Sequence, residues 1–315
     1  MPSRFRAIVV PLAVAAALAV TLSLAGCSSS SSGSAAAGAG PRPIRVVAAE
    51  NFWGSIAAQL GGDRVQVTSI ITNPDTDPHD YEAAAADART IATAQYVIVN
   101  GVGYDPWAPK LVAANPASGR RVLTVGQLVG VPDGGNPHRW YSPPDVAKVI
   151  DQITADYKAL DPTDASTFDQ QRRQFDTQGL AGYHTLIEQI KQKYAGMPVG
   201  ASESIFAPLA DALGLRLLTP SGFLNAISEG ADPTAQDKAT TDRQIKARQV
   251  KVFVYNSQNA TPDVRALVAQ ARAEGIPVAT VTETPTPPQA SFQDWQTRQL
   301  TALAAALATA KATSQ

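Results

Sequence analysis

From Ile44 onward, short runs rich in Val and Ile, without polar alternation, recur between longer segments of helical periodicity, and this constrains the chain more than any other feature. A run that is apolar on both faces suits a strand covered on both sides, and such strands joined through helices build a parallel sheet. The strand-like runs fall at 44–48, 65–71, 96–100, 121–125, 199–201, 215–219, 250–255 and 278–281. Helical periodicity occupies 53–60, 81–94, 106–114, 144–160, 207–213, 234–248, 262–274 and 292–310. The class is α/β. The alternation breaks once, at 164–194, which has no strand signal and no proline, opens on Asp161-Pro162-Thr163-Asp164 and stops near Gly196-Met197-Pro198. One long helix fits that stretch. It divides eight strands into two fours and predicts two lobes, each with a mostly parallel four-stranded sheet flanked by helices, joined by one rigid connector. The expected limits are 44–163 for the N-terminal lobe, 164–195 for the connector and 196–315 for the C-terminal lobe. Ligands of open α/β sheets bind beyond the carboxyl ends of the strands, so a cleft between the lobes is the expected site.

Composition narrows the function. A length of 315 residues fits two domains, and 44% hydrophobic residues suffice for packed cores. With 26 Lys and Arg against 27 Asp and Glu, the chain has no basic footprint for nucleic acid. Arg4-Phe5-Arg6 followed by an uncharged apolar run over 7–25 has the layout of a secretory signal, here assigned to residues 1–26. That run could be mistaken for a membrane span. Its ending, Leu24-Ala25-Gly26-Cys27, resembles the lipobox of bacterial lipoproteins, which implies a lipid on the single cysteine, Cys27. Residues 28–40 are Ser, Gly and Ala only, closed by Pro41-Arg42-Pro43, so 27–43 reads as a flexible tether. The expected location is the outer face of a cell membrane.

Only three histidines, His79, His138 and His184, are available for imidazole chemistry. His79 and His138 each follow a proline directly, in Asp77-Pro78-His79-Asp80-Tyr81-Glu82 and Asn136-Pro137-His138-Arg139-Trp140. Both stretches come after strands and ahead of helices, with His79 expected at the start of one. Proline stiffens such an approach and holds an imidazole in place before a ligand arrives. Ser202-Glu203-Ser204 ends the first strand after the connector and Thr282-Glu283-Thr284-Pro285 ends the last. Glu203 could alternatively serve a helix dipole, and Asp294, the rival of Glu283, falls inside the last helix. His184 lies in the connector and is left out of the site. Asn51, Trp53, Tyr81, Glu82 and Trp140 are candidates for a supporting shell, or for ordinary core.

These motifs, in this order, resemble those of the zinc and manganese substrate-binding proteins of ABC transporters, lipid-anchored metal receptors with two lobes and a helical backbone. The likeness runs from about Ile44 to the C-terminal helix. It implies two ligands from each lobe, His79 and His138 from the first and Glu203 and Glu283 from the second. It also implies a monomeric receptor that passes its ion to a permease with an ATPase. Two imidazoles and two carboxylates neutralise a divalent cation formally, which suits capture better than catalysis, where a coordination position stays open. Zinc members of the family commonly carry a third His where this chain has Glu203, and a His-rich loop where 129–136 has none. Oxygen donors therefore place Mn2+ slightly ahead of Zn2+ as the expected cargo. Because ligating imidazoles are neutral, affinity should fall as pH drops through about 6.5. A lipid-anchored metal-dependent hydrolase is the rival, although the chain has no G-x-S-x-G elbow and no H-E-x-x-H helix. A surface adhesion module is a third reading. The expectation is not an enzyme.

Overall fold

The structure, a computed structural model, describes residues 42–313. The expected signal segment, Cys27 and the tether up to residue 41 lie outside the described residues. The first half runs β1 (Ile44–Glu50), α1 (Asn51–Gly61), β2 (Val65–Ile71), α2 (Ala85–Thr93), β3 (Tyr96–Val99), α3 (Trp107–Ala114), β4 (Arg121–Thr124), α4 (Val125–Val129) and α5 (Pro143–Leu160). Next come α6 (Ala165–Gln174) and α7 (Ala181–Tyr194). The second half runs β5 (Pro198–Ala201), α8 (Ala207–Ala212), β6 (Arg216–Leu217), α9 (Ser221–Ser228), α10 (Ala235–Lys246), β7 (Val252–Asn256), α11 (Pro262–Ala273), β8 (Val278–Val281) and α12 (Phe292–Ala312).

The strands form two four-stranded sheets, ordered β2-β1-β3-β4 and β6-β5-β7-β8, with every neighbouring pair parallel. The two lobes repeat one topology, and in each the chain crosses from an outer strand over the first strand to the other side. That crossing opens a crevice between the carboxyl ends of β1 and β3 in one lobe and of β5 and β7 in the other. β3 is buried at all four positions, as its Tyr-Val-Ile-Val sequence requires of a strand covered on both faces.

The stretch 165–194 is helical but not one uniform helix. A π-helical turn at Phe175–Gly179 separates α6 from α7, with the Leu180 amide donating to the Phe175 carbonyl at 2.8 Å. A Cβ on Gly179 would come within 2.9 Å of the Phe175 ring, so glycine lets the widened turn pack. The helix expected over 81–94 begins later, at Ala85. Asp87 causes this, since its carboxylate accepts from the Ala84 amide at 2.7 Å and from the Tyr81 hydroxyl at 2.8 Å, holding the preceding residues extended. α4 and α9 were not expected from periodicity, because each is too short to show a repeat.

One hydrophobic core continues through both lobes, from Ile44 and Phe52 to Trp295 and Leu307. At its centre Phe52 stacks on Trp140 with centroids 4.1 Å apart, and Trp295 lies 6.5 Å from Phe52. Polar contacts clasp the lobes along the same seam. The Phe292 amide donates to Ser55 Oγ at 2.9 Å, and the Tyr141 hydroxyl sits 2.9 Å from the Thr282 carbonyl.

Candidate metal centre

Three of the four expected ligands, His79, Glu203 and Glu283, stand on segments that leave the carboxyl ends of strands, and His138 stands on the loop that follows α4. His79 lies between β2 and α2, six residues ahead of the helix rather than at its start. Its place is set by Asp77, whose Oδ1 accepts the His79 amide at 2.9 Å, and by the Gly103 carbonyl, 3.3 Å from its Nδ1. His138 is 1% exposed and lies between α4 and a single 3-10 turn at Arg139–Tyr141. Asn136 Oδ1 accepts the His138 amide at 3.0 Å and faces its Nδ1 at 2.9 Å. Both histidines therefore have Nδ1 against an oxygen acceptor, which assigns the proton to Nδ1 and leaves the Nε2 lone pair free. For His138 that Nε2 points to Glu283 Oε2, 3.6 Å away.

Glu203 follows β5 and is 1% exposed; Glu283 follows β8 and keeps 17% of its side-chain surface open. One amide ties them together, since Asn256 Nδ2, at the end of β7, donates to Glu203 Oε1 at 2.6 Å and to Glu283 Oε1 at 2.8 Å. Asn259 Nδ2 donates to the other Glu203 oxygen at 2.7 Å, and the Tyr104 hydroxyl donates to Glu283 Oε2 at 2.9 Å. Burial and the neighbouring Glu283 push the Glu203 carboxyl up to about 8. Burial likewise raises Glu283 to about 7, against the lowering effect of the Tyr104 hydroxyl. Burial drives His138 the other way, down to about 4, so its imidazole is neutral at physiological pH.

His138, Glu203 and Glu283 thus form one cluster, two carboxyls beside a neutral imidazole. His79 stands at its rim, half-buried, with its ring 4.9 Å from that of Tyr104. Among the described residues no three His, Cys, Asp or Glu side chains stand close enough to hold an ion as they are. Asn256, Asn259 and Tyr104 occupy carboxyl oxygens that an ion would need, and small side-chain movements would exchange those bonds for an ion. The donor set fits a first-row divalent cation, with two imidazole nitrogens and up to four carboxylate oxygens. Ser291 caps α12 by accepting the Asp294 amide on its Oγ at 3.1 Å, and the Asp294 side chain is exposed. His184 is exposed on α7.

Of the expected supporting residues, Trp140 packs edge-on to His138 at 5.2 Å and Trp53 donates to Asn100 Oδ1 at 3.1 Å. Tyr81 turns away, against Asp87 and Trp107, and Glu82 is exposed. Asn51 reaches only the Pro288 carbonyl, at 3.5 Å. The residues that sequence reading missed are Tyr104, Asn136, Asn256 and Asn259. Asn256 and Tyr104 could have been found from their places at the ends of the central strands β7 and β3, where an open sheet gathers its ligands. Ser204 Oγ is 3.4 Å from His138 Nδ1. That nitrogen faces Asn136 at the shorter distance, so it cannot serve Ser204 as a base.

Known proteins share this architecture. The sequence profile of the family described as zinc-uptake complex component A, periplasmic, matches residues 46–306. The manganese-binding lipoprotein MntA of Bacillus subtilis is 23% identical over 242 residues, 74% of this chain and 77% of that protein. The MntA of Halalkalibacterium halodurans is 27% identical over 130 residues, 40% of this chain and 42% of its own length. The zinc-binding lipoprotein AdcA of Streptococcus pneumoniae is 23% identical over 64% of this chain and 43% of its own length. The match thus spans under half the length of two of these three relatives. Among solved structures, the periplasmic metal-binding protein of Candidatus Liberibacter asiaticus aligns with a TM-score of 0.71 at 21% identity, over 84% of this chain and 99% of that one. The periplasmic zinc-binding protein TroA of Treponema pallidum aligns at 0.70 with 17% identity, over the same shares. At these identities the structures establish a common fold. With its profile matched across both sheets, the chain belongs to the family of the zinc-uptake complex component A proteins.

Proposed function

We propose that this protein is an extracytoplasmic receptor that takes one divalent transition-metal ion, Mn2+ ahead of Zn2+, into the cleft between its lobes and delivers it to an ABC permease. The reading is supported by the hydrogen-bonded neighbourhood of His138, Glu203 and Glu283, with His79 at its rim. The Nε2 lone pairs of both histidines are left free by fixed hydrogen bonds on Nδ1. Two carboxylates and no thiol favour a harder cation, although zinc binds most nitrogen and oxygen sites more tightly. The relatives named for manganese and for zinc support both ions. Residues 1–26 act as a signal peptide, Cys27 carries the lipid and 27–43 tether a monomeric binding domain of two lobes and a connector, 44–163, 164–195 and 196–315, to the membrane. Separation of the lobes withdraws Glu203 and Glu283 from the two histidines together and frees the ion.

Competition titration of purified protein with Mn2+ and Zn2+ tests this. One ion should bind per chain, and His138→Ala or Glu203→Gln should weaken binding by about 100-fold or more. Parental affinity in both variants would sink the site.

A further inference from the structure

Behind the four ligands lies a second pair of acids to which no ligand role falls. Glu50, the last residue of β1, is 0% exposed, and among the described residues neither of its oxygens meets a hydrogen-bond donor from another residue. The group within hydrogen-bonding reach of it is another carboxyl, Asp105, itself 1% exposed. Asp105 is fully engaged on its other side. Its Oδ2 accepts the Asn100 amide and its Oδ1 the Gly101 amide, both at 2.7 Å.

Those amides begin a loop with three consecutive left-handed residues, Gly101 at φ +73°, Val102 at +58° and Gly103 at +77°. A β-branched residue in that region is strained and persists where its surroundings impose it. The loop delivers two contacts to the site. Its Gly103 carbonyl fixes His79 Nδ1, and Tyr104 donates to Glu283. At its base Asn100 Nδ2 donates to the Pro137 carbonyl at 3.0 Å, next to His138.

We propose that Glu50 and Asp105 are positioning residues, a carboxylic acid donating to a carboxylate, whose shared proton clamps the 100–105 loop and so holds His79 and Glu283 for the ion. The link to the ion rests on the receptor reading; the clamp does not. Two carboxylates out of water cannot both keep their charge, and a proton between them satisfies both. Asp105, with two backbone donors from other residues, keeps the charge, while Glu50, with none beyond its own amide, holds the proton. Burial, with Asp105 adding to it, holds the Glu50 carboxyl well above its ordinary range, and Asp105 is raised to about 6.

The test uses Glu50→Gln, which keeps a donor toward Asp105, and Glu50→Leu, which removes it. The readouts are Mn2+ affinity by chelator competition and hydrogen exchange at the Asn100 and Gly101 amides of the metal-free protein. Glu50→Leu should raise the Mn2+ dissociation constant about tenfold and speed exchange at both amides, whereas Glu50→Gln should stay within about threefold of the parent. If Glu50→Leu does not fold, Asp105→Asn, which gives up one acceptor at the same volume, takes its place with the same expectation. Glu50→Gln as impaired as Glu50→Leu would overturn the shared-proton assignment. Parental exchange in Glu50→Leu would overturn the clamp, and fast exchange with parental Mn2+ affinity would overturn its link to the site. A parent protein that binds neither Mn2+ nor Zn2+ would defeat the receptor reading and the link, while the exchange data would still decide the clamp.

Discussion

At the scale of single residues, the four ligands are held by polar neighbours that set which atom faces the ion. Asn256 does most of this in the C-terminal lobe, because one amide spaces both carboxylates. Asn256→Ala should weaken metal binding by about 10–100-fold without unfolding the protein, measured by titration alongside circular dichroism. The raised carboxyls also set the pH dependence. Both must lose their protons to ligate, and with Glu283 at about 7 and Glu203 at about 8 both hold them at pH 5. Apparent log affinity should therefore rise by about two per pH unit from pH 5 to 7, by about one from 7 to 8, and level off above. His138 is neutral above about 4 and adds nothing in that window. Titrations from pH 5 to 9 check the slope, and a flat profile would contradict it. The sequence placed this fall near 6.5, on the imidazoles; burial, which a sequence does not display, takes His138 out of that window and brings the two carboxyls into it. The ligands themselves were legible because each sits beside a proline or at a strand end. Asn256, although it ends β7, and Tyr104, five residues past β3, were harder to single out, since their roles appear only when loops distant in the chain meet.

At the scale of elements, strand ends and loops matter more than helices. Apolar runs placed all eight strands, most plainly β1, β3 and β7, because a parallel strand buried on both faces leaves a plain apolar signature. Helix starts were less legible where a side chain overrode propensity, as Asp87 does by holding Tyr81 and Ala84. The loop after β3 gives a direct test of element packing. A Cβ on Gly126, in α4, would meet Val102 Cγ2 at 2.3 Å and press on the left-handed stretch. Gly126→Ala should cost about 1–3 kcal/mol in denaturant unfolding. It should also weaken metal binding, since the displaced loop carries Tyr104 and the Gly103 carbonyl. A stable variant with parental affinity would show that the loop is softer than its contacts indicate.

At the scale of the whole molecule, two copies of one sheet topology face each other across a seam, and the switch points of both sheets open on the same cleft. The shared aromatic core explains how a site split between lobes keeps its geometry. It also exposes a tension in the metal-free protein. Glu203 and Glu283 have carboxyls raised above their unfolded values, so the stability they contribute is full below about pH 4.3 and is lost as pH rises through about 7 and 8. The melting temperature of metal-free protein should accordingly fall between pH 6 and 8, and Mn2+ should restore it most at pH 8, which differential scanning calorimetry reads directly. An apo melting temperature that does not change with pH would contradict that linkage.

The central claim is that one ion sits between the two lobes on four named side chains. Anomalous diffraction from crystals of the Mn2+-loaded protein, measured at the manganese edge, tests it most directly. A single peak is predicted within about 2.0–2.4 Å of His79 Nε2, His138 Nε2 and carboxylate oxygens of Glu203 and Glu283. A peak elsewhere, or one that leaves out His138 and both glutamates, would contradict the account.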